Sequence, residues 1–317
     1  MSDSANLTSQ QKILVVGAGS IGLRHAQNFA SFGCDVAFVS QRKDLKFKTF
    51  ESIQKALSVF IPDTVVIANK TVDHITSLKQ ILTADTKSLI IVEKPLFSIM
   101  PNPELILTSA QKQNIKVAYN LRFHPLVSWL RQELKNEKVL NALFYVGQYL
   151  PTWRPQDDYR KSYSALKNEG GGVLRDLSHE IDMGIYLFGA FKEFLFYSGK
   201  VSSLEIQSDD TFMSLARFKS QTVLNLNMNY LDRIKQRFYV VNTDQDSFKI
   251  DFMAKTAVKN DQVLNFNIDG NTSYLEMTKD ILFLRAESLC SYDEAIQTVQ
   301  LFDRVDHDGQ QKDWIQL

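Results

Sequence analysis

Two groups of residues in this chain of 317 amino acids have the types and spacing that proton chemistry needs. The first is Glu93-Lys94-Pro95, which closes an apolar run at 88–92 with the composition of a buried strand. A lysine at the carboxyl end of a parallel strand faces the crevice where open α/β sheets take ligands. An exposed ammonium, with a pKa of ~10.4, is a poor base at neutral pH, but desolvation and neighbouring cations lower it. Pro95 fixes the backbone as it leaves the sheet and would aim the lysine. The plain alternative is that Lys94 pairs with Glu93 or with a bound phosphate. The second group is Asp176, His179 and Asp182, set three apart in a stretch that reads as one helix over 173–188. Three glycines, 170–172, precede it and Gly189 stops it. Side chains three apart project along one side of a helix. Flanking carboxylates would orient the imidazole and stabilise its charged form. Here the plain alternative is a satisfied core histidine.

A third group positions rather than reacts. Gly17, Gly19 and Gly22, with Ser20 and Ile21 between them, join an apolar run at 13–16 to a helical stretch at 20–32 that ends at Gly33. A glycine turn between strand and helix binds a pyrophosphate on backbone N–H groups, helped by the helix dipole. Gly17 would permit the turn, Gly19 the close approach of the pyrophosphate, and Gly22 the packing of helix on strand. A tight turn that binds nothing is the alternative. Further apolar runs at 36–39, 64–68, 88–92 and 116–119 alternate with helical stretches near 52–60 and 74–83. That alternation predicts a parallel, doubly wound sheet. A dinucleotide site next to a strand-end lysine reads as an NAD(P)-dependent oxidoreductase. After the second strand an NAD site has an acid to bind the ribose hydroxyls. This chain has Ser40, Gln41, Arg42 and Lys43 there, and no acid before Asp44. A hydroxyl with two cations suits a 2′-phosphate, so NADP is favoured over NAD. The alternative is a solvated basic loop.

Beyond residue 143 the periodicity changes to long strands, at 143–149, 194–201, 211–218, 222–230 and 237–242. One face of that sheet would be covered by the 173–188 helix, with helices near 274–289 and 292–305 completing the domain. The fold class expected is α/β: an N-terminal Rossmann doubly wound parallel sheet plus a C-terminal α+β domain with a large, mostly antiparallel sheet. The expected organisation is a flexible leader at 1–11, a nucleotide-binding domain at 12–121 and a substrate and oligomerisation domain at 122–317. Between the first long strand and the helix lies a loop carrying Trp153, Arg154, Tyr159, Arg160 and Tyr163. Aromatic faces stack on sugar rings and arginine binds carboxylate or phosphate, so a hydroxylated, negatively charged substrate is expected. An arm that packs on a neighbouring subunit is the alternative.

The whole composition narrows the classes. Lysine plus arginine equals aspartate plus glutamate, at 36 each, so no charge bias draws the chain to nucleic acid or a membrane surface. No apolar run approaches the roughly 18–20 residues that cross a bilayer. Two cysteines, Cys34 and Cys290, make no disulfide framework and suit a reducing cytoplasm. The five histidines have no zinc spacing, so no metal is expected.

The GAGSIG turn, the EKP tripeptide, Tyr119-Asn-Leu-Arg-Phe-His-Pro125 and the GGG…D…H…D segment together resemble the glucose–fructose oxidoreductase / inositol dehydrogenase / MocA (Gfo/Idh/MocA) family over most of the chain. The resemblance implies Lys94 as the central acid/base residue, with His179 and an aspartate completing the site. It implies Asn120 and Arg122 near cofactor and substrate, and Ala68, Asn69, His74 and Glu93 along the cofactor. It also implies a homodimer or homotetramer through the C-terminal sheet. Two departures stand out. The family spaces its helix aspartate and histidine by four, whereas Asp176 precedes His179 by three, which leaves Glu180 as a competitor for the histidine's place. Ala68-Asn69-Lys70 stands where the family has Thr-Pro. The W-R-P…D-Y-R…Y-S…GGGVLRDLSHEID run is similar to members associated with bacterial surface-sugar biosynthesis. The reaction expected is hydride transfer between nicotinamide and a carbinol or ketone carbon of a sugar, sugar nucleotide or sugar acid. The alternatives are a non-catalytic NAD(P)-binding regulator and a cofactor-retaining epimerase or hydrolase.

Overall fold

A computed structural model of the protein describes residues 10–84, 86–102, 105–284 and 286–309. Residues 1–9 of the expected leader lie outside them. The chain forms two compact units.

The first unit takes the described residues up to Phe97, residues 105–118, and the described residues of Met277–Tyr292. Its elements begin β1 (Lys12–Val16), α1 (Ser20–Ser31), β2 (Asp35–Val39), β3 (Lys48–Phe50), α2 (Ile53–Phe60) and β4 (Thr64–Ile67). They continue α3 (His74–Thr83), β5 (Leu89–Val92), α4 (Ser109–Asn114) and β6 (Ile115–Val117). The strands named here are parallel, in the order β6-β5-β4-β1-β2-β3. Ile13, Leu14, Val15, Val65, Val66 and Ile67 are fully buried, as a sheet with both faces covered requires. The winding direction reverses between β1 and β4, which puts the ligand crevice outside their carboxyl ends. Ser52 caps α2 by accepting the Lys55 N–H, satisfying one of the free donors of a helix start.

The second unit holds Ser98–Asn102, Tyr119–Glu276 and the described residues from Asp293 on. It contains α5 (Pro125–Glu133), β7 (Val139–Gly147), α6 (Val173–Asp176), α7 (His179–Phe188), β8 (Phe191–Gly199) and β9 (Thr211–Phe218). After these come β10 (Val223–Asn229), β11 (Gln236–Thr243), β12 (Ser247–Asp251), β13 (Thr256–Lys259) and β14 (Gln262–Asn265). The last elements among the described residues are α8 (Thr272–Phe283), β15 (Cys290–Ser291) and α9 (Tyr292–Asp308). β15 pairs antiparallel with β6, so the segment after α8 adds an edge strand to the first sheet.

The second sheet runs β14-β13-β12-β11-β7-β10-β9-β8. All its pairs are antiparallel except β10 with β7. Residues alternate between its two faces. Phe212, Ala216, Phe218, Leu224, Leu226 and Met228 point into a core shared with Ile181, Ile185 and Phe188 of α7. Gly184 lets α7 lie close on the sheet, because a Cβ there would stand 3.0 Å from the Phe218 ring and 3.2 Å from Leu224. Met213, Leu215 and Leu195 point outward and stay exposed.

The expected single helix over 173–188 is two. After α6 the Ser178 N–H donates to the Arg175 carbonyl, three residues back, and the Glu180 N–H donates likewise to Leu177. The tighter turn winds the chain by fewer residues than an α-helix. It changes which side chains share a side with Asp176. Among the described residues no helix is long and apolar enough to cross a membrane.

Candidate active site

The glycine turn of the first unit is built by contact. Gly17 has φ +101°, and a Cβ on it would lie 2.7 Å from the backbone of Asn69. A Cβ on Gly22 would lie 2.1 Å from the Gly17 carbonyl oxygen. Around Gly19, by contrast, a Cβ would meet nothing within 4 Å, so this corner of the turn borders open space at the start of α1. Ser20 and Ile21 begin that helix. A backbone bared in this way fits the approach of a pyrophosphate to helix N–H groups. Ser40 follows β2 and accepts the Arg42 N–H at 3.1 Å. The Arg42 guanidinium donates from Nη1 to the Ala18 carbonyl at 2.9 Å, and from Nε and Nη2 to Asp44 at 3.0 and 2.5 Å. The basic loop thus lies beside the glycine turn. Lys43 is exposed in it.

Lys94 leaves the end of β5 half-buried. Its backbone N–H donates to the Glu93 carboxylate at 3.1 Å. The other oxygen of Glu93 lies 2.6 Å from Nε2 of His25, which is fully buried on α1 and stacks along Phe29. The helix that starts at the glycine turn therefore also holds the strand end that carries Lys94. His25 is a residue the sequence reading missed. It lies three residues after Gly22, but nothing in the sequence ties it to Glu93, 68 residues away.

His74, expected along the cofactor, is 1% exposed. Its ring nitrogens meet the carbonyls of Pro95 at 3.1 Å, Leu96 at 3.3 Å and Asn69 at 3.3 Å. Burial lowers its pKa against the opposing pull of those carbonyls. The residue works by holding the backbone after Lys94 rather than by meeting a ligand. Asn69 donates to Ser77 at 2.9 Å, and Ala68 precedes it at the end of β4.

In the second unit the residues expected around His179 separate into different roles. His179 is half-buried at the start of α7, with the Tyr119 ring edge-on at 5.6 Å. Glu180 is fully buried; its carboxylate accepts the Tyr239 hydroxyl at 3.1 Å and pairs with Nε of Arg237 at 2.8 Å. The competitor for the histidine's place is thus committed to the sheet. Asp182 pairs with Arg122 through Nε at 3.0 Å and Nη2 at 2.6 Å, and Arg122 reaches Glu294 through Nη1 at 3.2 Å. Arg122 is only 3% exposed and lies over the Tyr186 ring. Its fork is spent on a buried ion pair, so direct contact with substrate or cofactor, expected from the sequence, does not fit its geometry. Asn120 is buried too, and donates to Ser273 at 2.8 Å.

Asp176 is buried and accepts the Tyr230 hydroxyl at 2.6 Å and that of Tyr163. The Asp176 charge, with burial and the hydrogen bond behind it, pushes the Tyr163 hydroxyl above the usual tyrosine range, and burial first, with the Asp176 charge next, raises Tyr230 well above it. Next to it Asp209 accepts the Leu174 N–H at 3.0 Å. Gly172, at φ +114°, packs on Asp209 so closely that a Cβ would stand 2.1 Å from its carboxylate oxygen. Burial raises the Asp209 pKa to about 6, with the nearby Asp176 charge adding to it.

A pocket of about 350 Å³ opens in this unit and is lined among others by Trp153, Gln148, His124, Lys235, Arg237 and Asn120. Of the aromatic and cationic loop, only Trp153 reaches it. Arg160 is exposed and tied to Asp158 at 2.8 Å; the Tyr159 hydroxyl accepts the Glu205 N–H at 3.3 Å; Arg154 is exposed. The cations at the pocket come instead from the start of β11, which the sequence reading passed over. The cluster of cations Arg233, Lys235 and Arg237 was the available signal.

Residues 132–248 match the family model described as the GFO/IDH/MocA C-terminal domain. The chain carries a Gfo/Idh/MocA domain. Residues 6–92 match an NAD(P)-binding family model. Among solved structures, UDP-N-acetylglucosamine 3-dehydrogenase GnnA from Acidithiobacillus ferrooxidans is similar, with 17% identity, TM-score 0.74, and coverage of 94% of this chain and 97% of that one. A levoglucosan dehydrogenase, in complex with NADH and levoglucosan, has 16% identity, TM-score 0.78 and coverage of 94% and 97%. The WlbA dehydrogenase from Bordetella pertussis, in complex with NADH and UDP-GlcNAcA, has 13% identity, TM-score 0.72 and coverage of 94% and 95%. No curated protein matches the chain. At these identities the structures share the Gfo/Idh/MocA fold: a parallel Rossmann sheet followed by a mostly antiparallel one.

Proposed function

We propose that the protein is an NAD(P)-dependent oxidoreductase acting on a carbinol or ketone carbon of a sugar, sugar nucleotide or sugar acid. One observation carries the reading. The open glycine turn after β1 and the half-buried Lys94 after β5 lie at the carboxyl ends of strands in one parallel sheet, where such sheets bind ligands. When bound, a nicotinamide supplies or accepts the hydride. The chain's residues supply the rest. Gly17, Gly19 and Gly22 with the start of α1 hold the pyrophosphate. Glu93, fixed by His25, sets the strand end from which Lys94 exchanges the proton of the sugar hydroxyl. General acid–base help of that kind contributes about 10²–10⁴-fold. Within the second unit His179 is the residue for proton chemistry, since it is the partly exposed member of its helix turn while Asp176, Glu180 and Asp182 serve buried partners.

NADP is the cofactor we favour, because Arg42 donates to the Ala18 carbonyl of the turn and Lys43 is exposed beside it; a 2′-phosphate would take the place of Asp44 on the Arg42 guanidinium. Titration with NADPH and NADH, followed by nicotinamide fluorescence, tests both steps. Tighter binding of NADPH, weakened selectively in Arg42→Ala, is the expected outcome. Equal binding of both cofactors would remove the NADP preference, and binding of neither would remove the oxidoreductase reading.

The sugar-nucleotide class, with surface-polysaccharide assembly as its setting, is supported by the resemblance to the sugar-nucleotide dehydrogenases named above. A screen of sugar nucleotides for NAD(P)(H) turnover checks it. We further infer a homo-oligomer through the second sheet, whose outward residues Leu195, Met213 and Leu215 form an exposed apolar face. Sedimentation equilibrium should show a dimer or tetramer, and Leu215→Glu should dissociate it.

A further inference from the structure

The pocket beside Trp153 has a charge pattern that the proton-transfer residues do not use. Lys235 immediately precedes β11 and Arg237 is the strand's second residue, and both line the pocket. Arg237 turns its Nε edge to buried Glu180, at 2.8 Å, with Nη2 at 3.4 Å from the same carboxylate. Among the described residues its Nη1 has no hydrogen-bond partner, and Lys235 has no ion pair. One of the two cations is thus countered and the other is not. Lys235 is exposed at the pocket's mouth, and partial burial and the Arg237 charge both lower its pKa, the direction expected for two neighbouring cations.

The remaining charged groups at the pocket do not cancel this. His124 accepts the Leu126 N–H on Nδ1 at 3.3 Å, which leaves the proton on Nε2. Burial, with Arg237 nearby, brings its pKa down to about 4, so it is a neutral donor at physiological pH. Asp269, the pocket's carboxylate, is exposed and turned to its own loop, accepting the Asn271 N–H at 2.7 Å. The walls carry the other half of a carbohydrate site. Trp153 is pinned by a hydrogen bond from its indole N–H to the Gln148 carbonyl at 3.2 Å and by edge contact with Tyr230 at 5.2 Å. A fixed indole with amides around it stacks on a ring and binds its hydroxyls.

We propose that Lys235 and Arg237 form an anion subsite that binds the carboxylate or phosphate substituent of a sugar ring packed against Trp153. The inference rests on the sugar reading above and names the substrate's charge. The anion bridges the two cations, accepting from Lys235 Nζ and Arg237 Nη1, and relieves their mutual repulsion. Charge-assisted hydrogen bonds of this kind are about twice as strong as neutral ones.

Calorimetric titration of the cofactor-free protein with glucuronate, glucose 1-phosphate and glucose tests it. Either acid should bind at least about tenfold more tightly than glucose, the difference one charge-assisted hydrogen bond makes. A preference between the two acids identifies carboxylate or phosphate as the group taken. In Lys235→Gln the preference should fall to near unity, with glucose affinity and the thermal midpoint unchanged. Arg237→Lys keeps a cation for Glu180 and should lose part of the preference. Acids that bind no better than glucose, or a preference that survives in Lys235→Gln, would overturn the subsite. Because no cofactor is present, that failure is distinct from loss of the oxidoreductase reading, which the NADPH titration decides.

Discussion

His179 and Glu180 are neighbours in sequence, yet their environments are opposite, and this separates their roles experimentally. Glu180 is fully buried between Tyr239 and Arg237. Removing its charge leaves Arg237 without its buried partner, and breaking such a pair costs about 3–5 kcal/mol. Burial also raises the Tyr239 hydroxyl well above its usual range, with the Glu180 charge next in effect. His179 is half-buried and meets Tyr119 edge-on. Glu180→Ala should therefore lower the thermal midpoint by many degrees, whereas His179→Gln should leave it nearly unchanged and reduce turnover with NADPH binding intact. A stable Glu180→Ala protein that has lost turnover, beside an active His179→Gln, would reverse the assignment. Both variants are read by differential scanning calorimetry and by turnover of whichever sugar the screen yields.

The glycine turn is an element whose three positions make separable demands. A Cβ on Gly22 collides with the Gly17 carbonyl at 2.1 Å, a backbone atom that cannot step aside. On Gly19 it enters open space. Gly22→Ala should destabilise the first unit, while Gly19→Ala should fold as the parent does and bind NADPH at least tenfold more weakly. Normal cofactor affinity in Gly19→Ala would mean that no phosphate approaches this turn. The turn was legible in the sequence because each part is local: strand, glycine spacing and helix start adjoin one another. So were β9, at 211–218, and α3, at 74–83, whose periodicities are unbroken. The break at Leu177–Ser178 was not legible, since Val173 to Phe188 reads as continuous helix and only the hydrogen bonds to Arg175 and Leu177 tighten it. Neither Glu93 with His25 nor Arg237 with Glu180 could be read, because each pairing joins elements distant along the chain. In the loop at 153–163 the pairing of Arg160 with Asp158, two residues away, is local and was open to the sequence, whereas the turn of Trp153 into the pocket was not.

At the scale of the whole molecule, equal numbers of acids and bases, 36 of each, leave pH stability to the few groups whose environment is far from water. Two of them oppose each other. His124 has its pKa lowered to about 4. Between that value and the ordinary ~6.5 of an unfolded histidine, the unfolded chain binds more protons, so stability rises with pH. His74, also lowered by burial, acts in the same direction. Asp209 has its pKa raised from 3.8 to about 6. Over that interval the folded state binds more protons, so stability falls as pH rises. A shift of this size corresponds to no more than about 3 kcal/mol at neutral pH. Asp209→Asn keeps an oxygen to accept the Leu174 N–H and removes the half-buried charge beside Asp176. The variant should be more stable than the parent at pH 7, nearly equal to it at pH 4, and should gain stability more steeply between the two. Urea unfolding at a series of pH values measures the difference, which isolates Asp209 from every other titrating group. A variant less stable than the parent at pH 7 would show that the carboxylate is held ionised by its neighbours, and that the charge beside the Gly172 turn stabilises the fold rather than straining it.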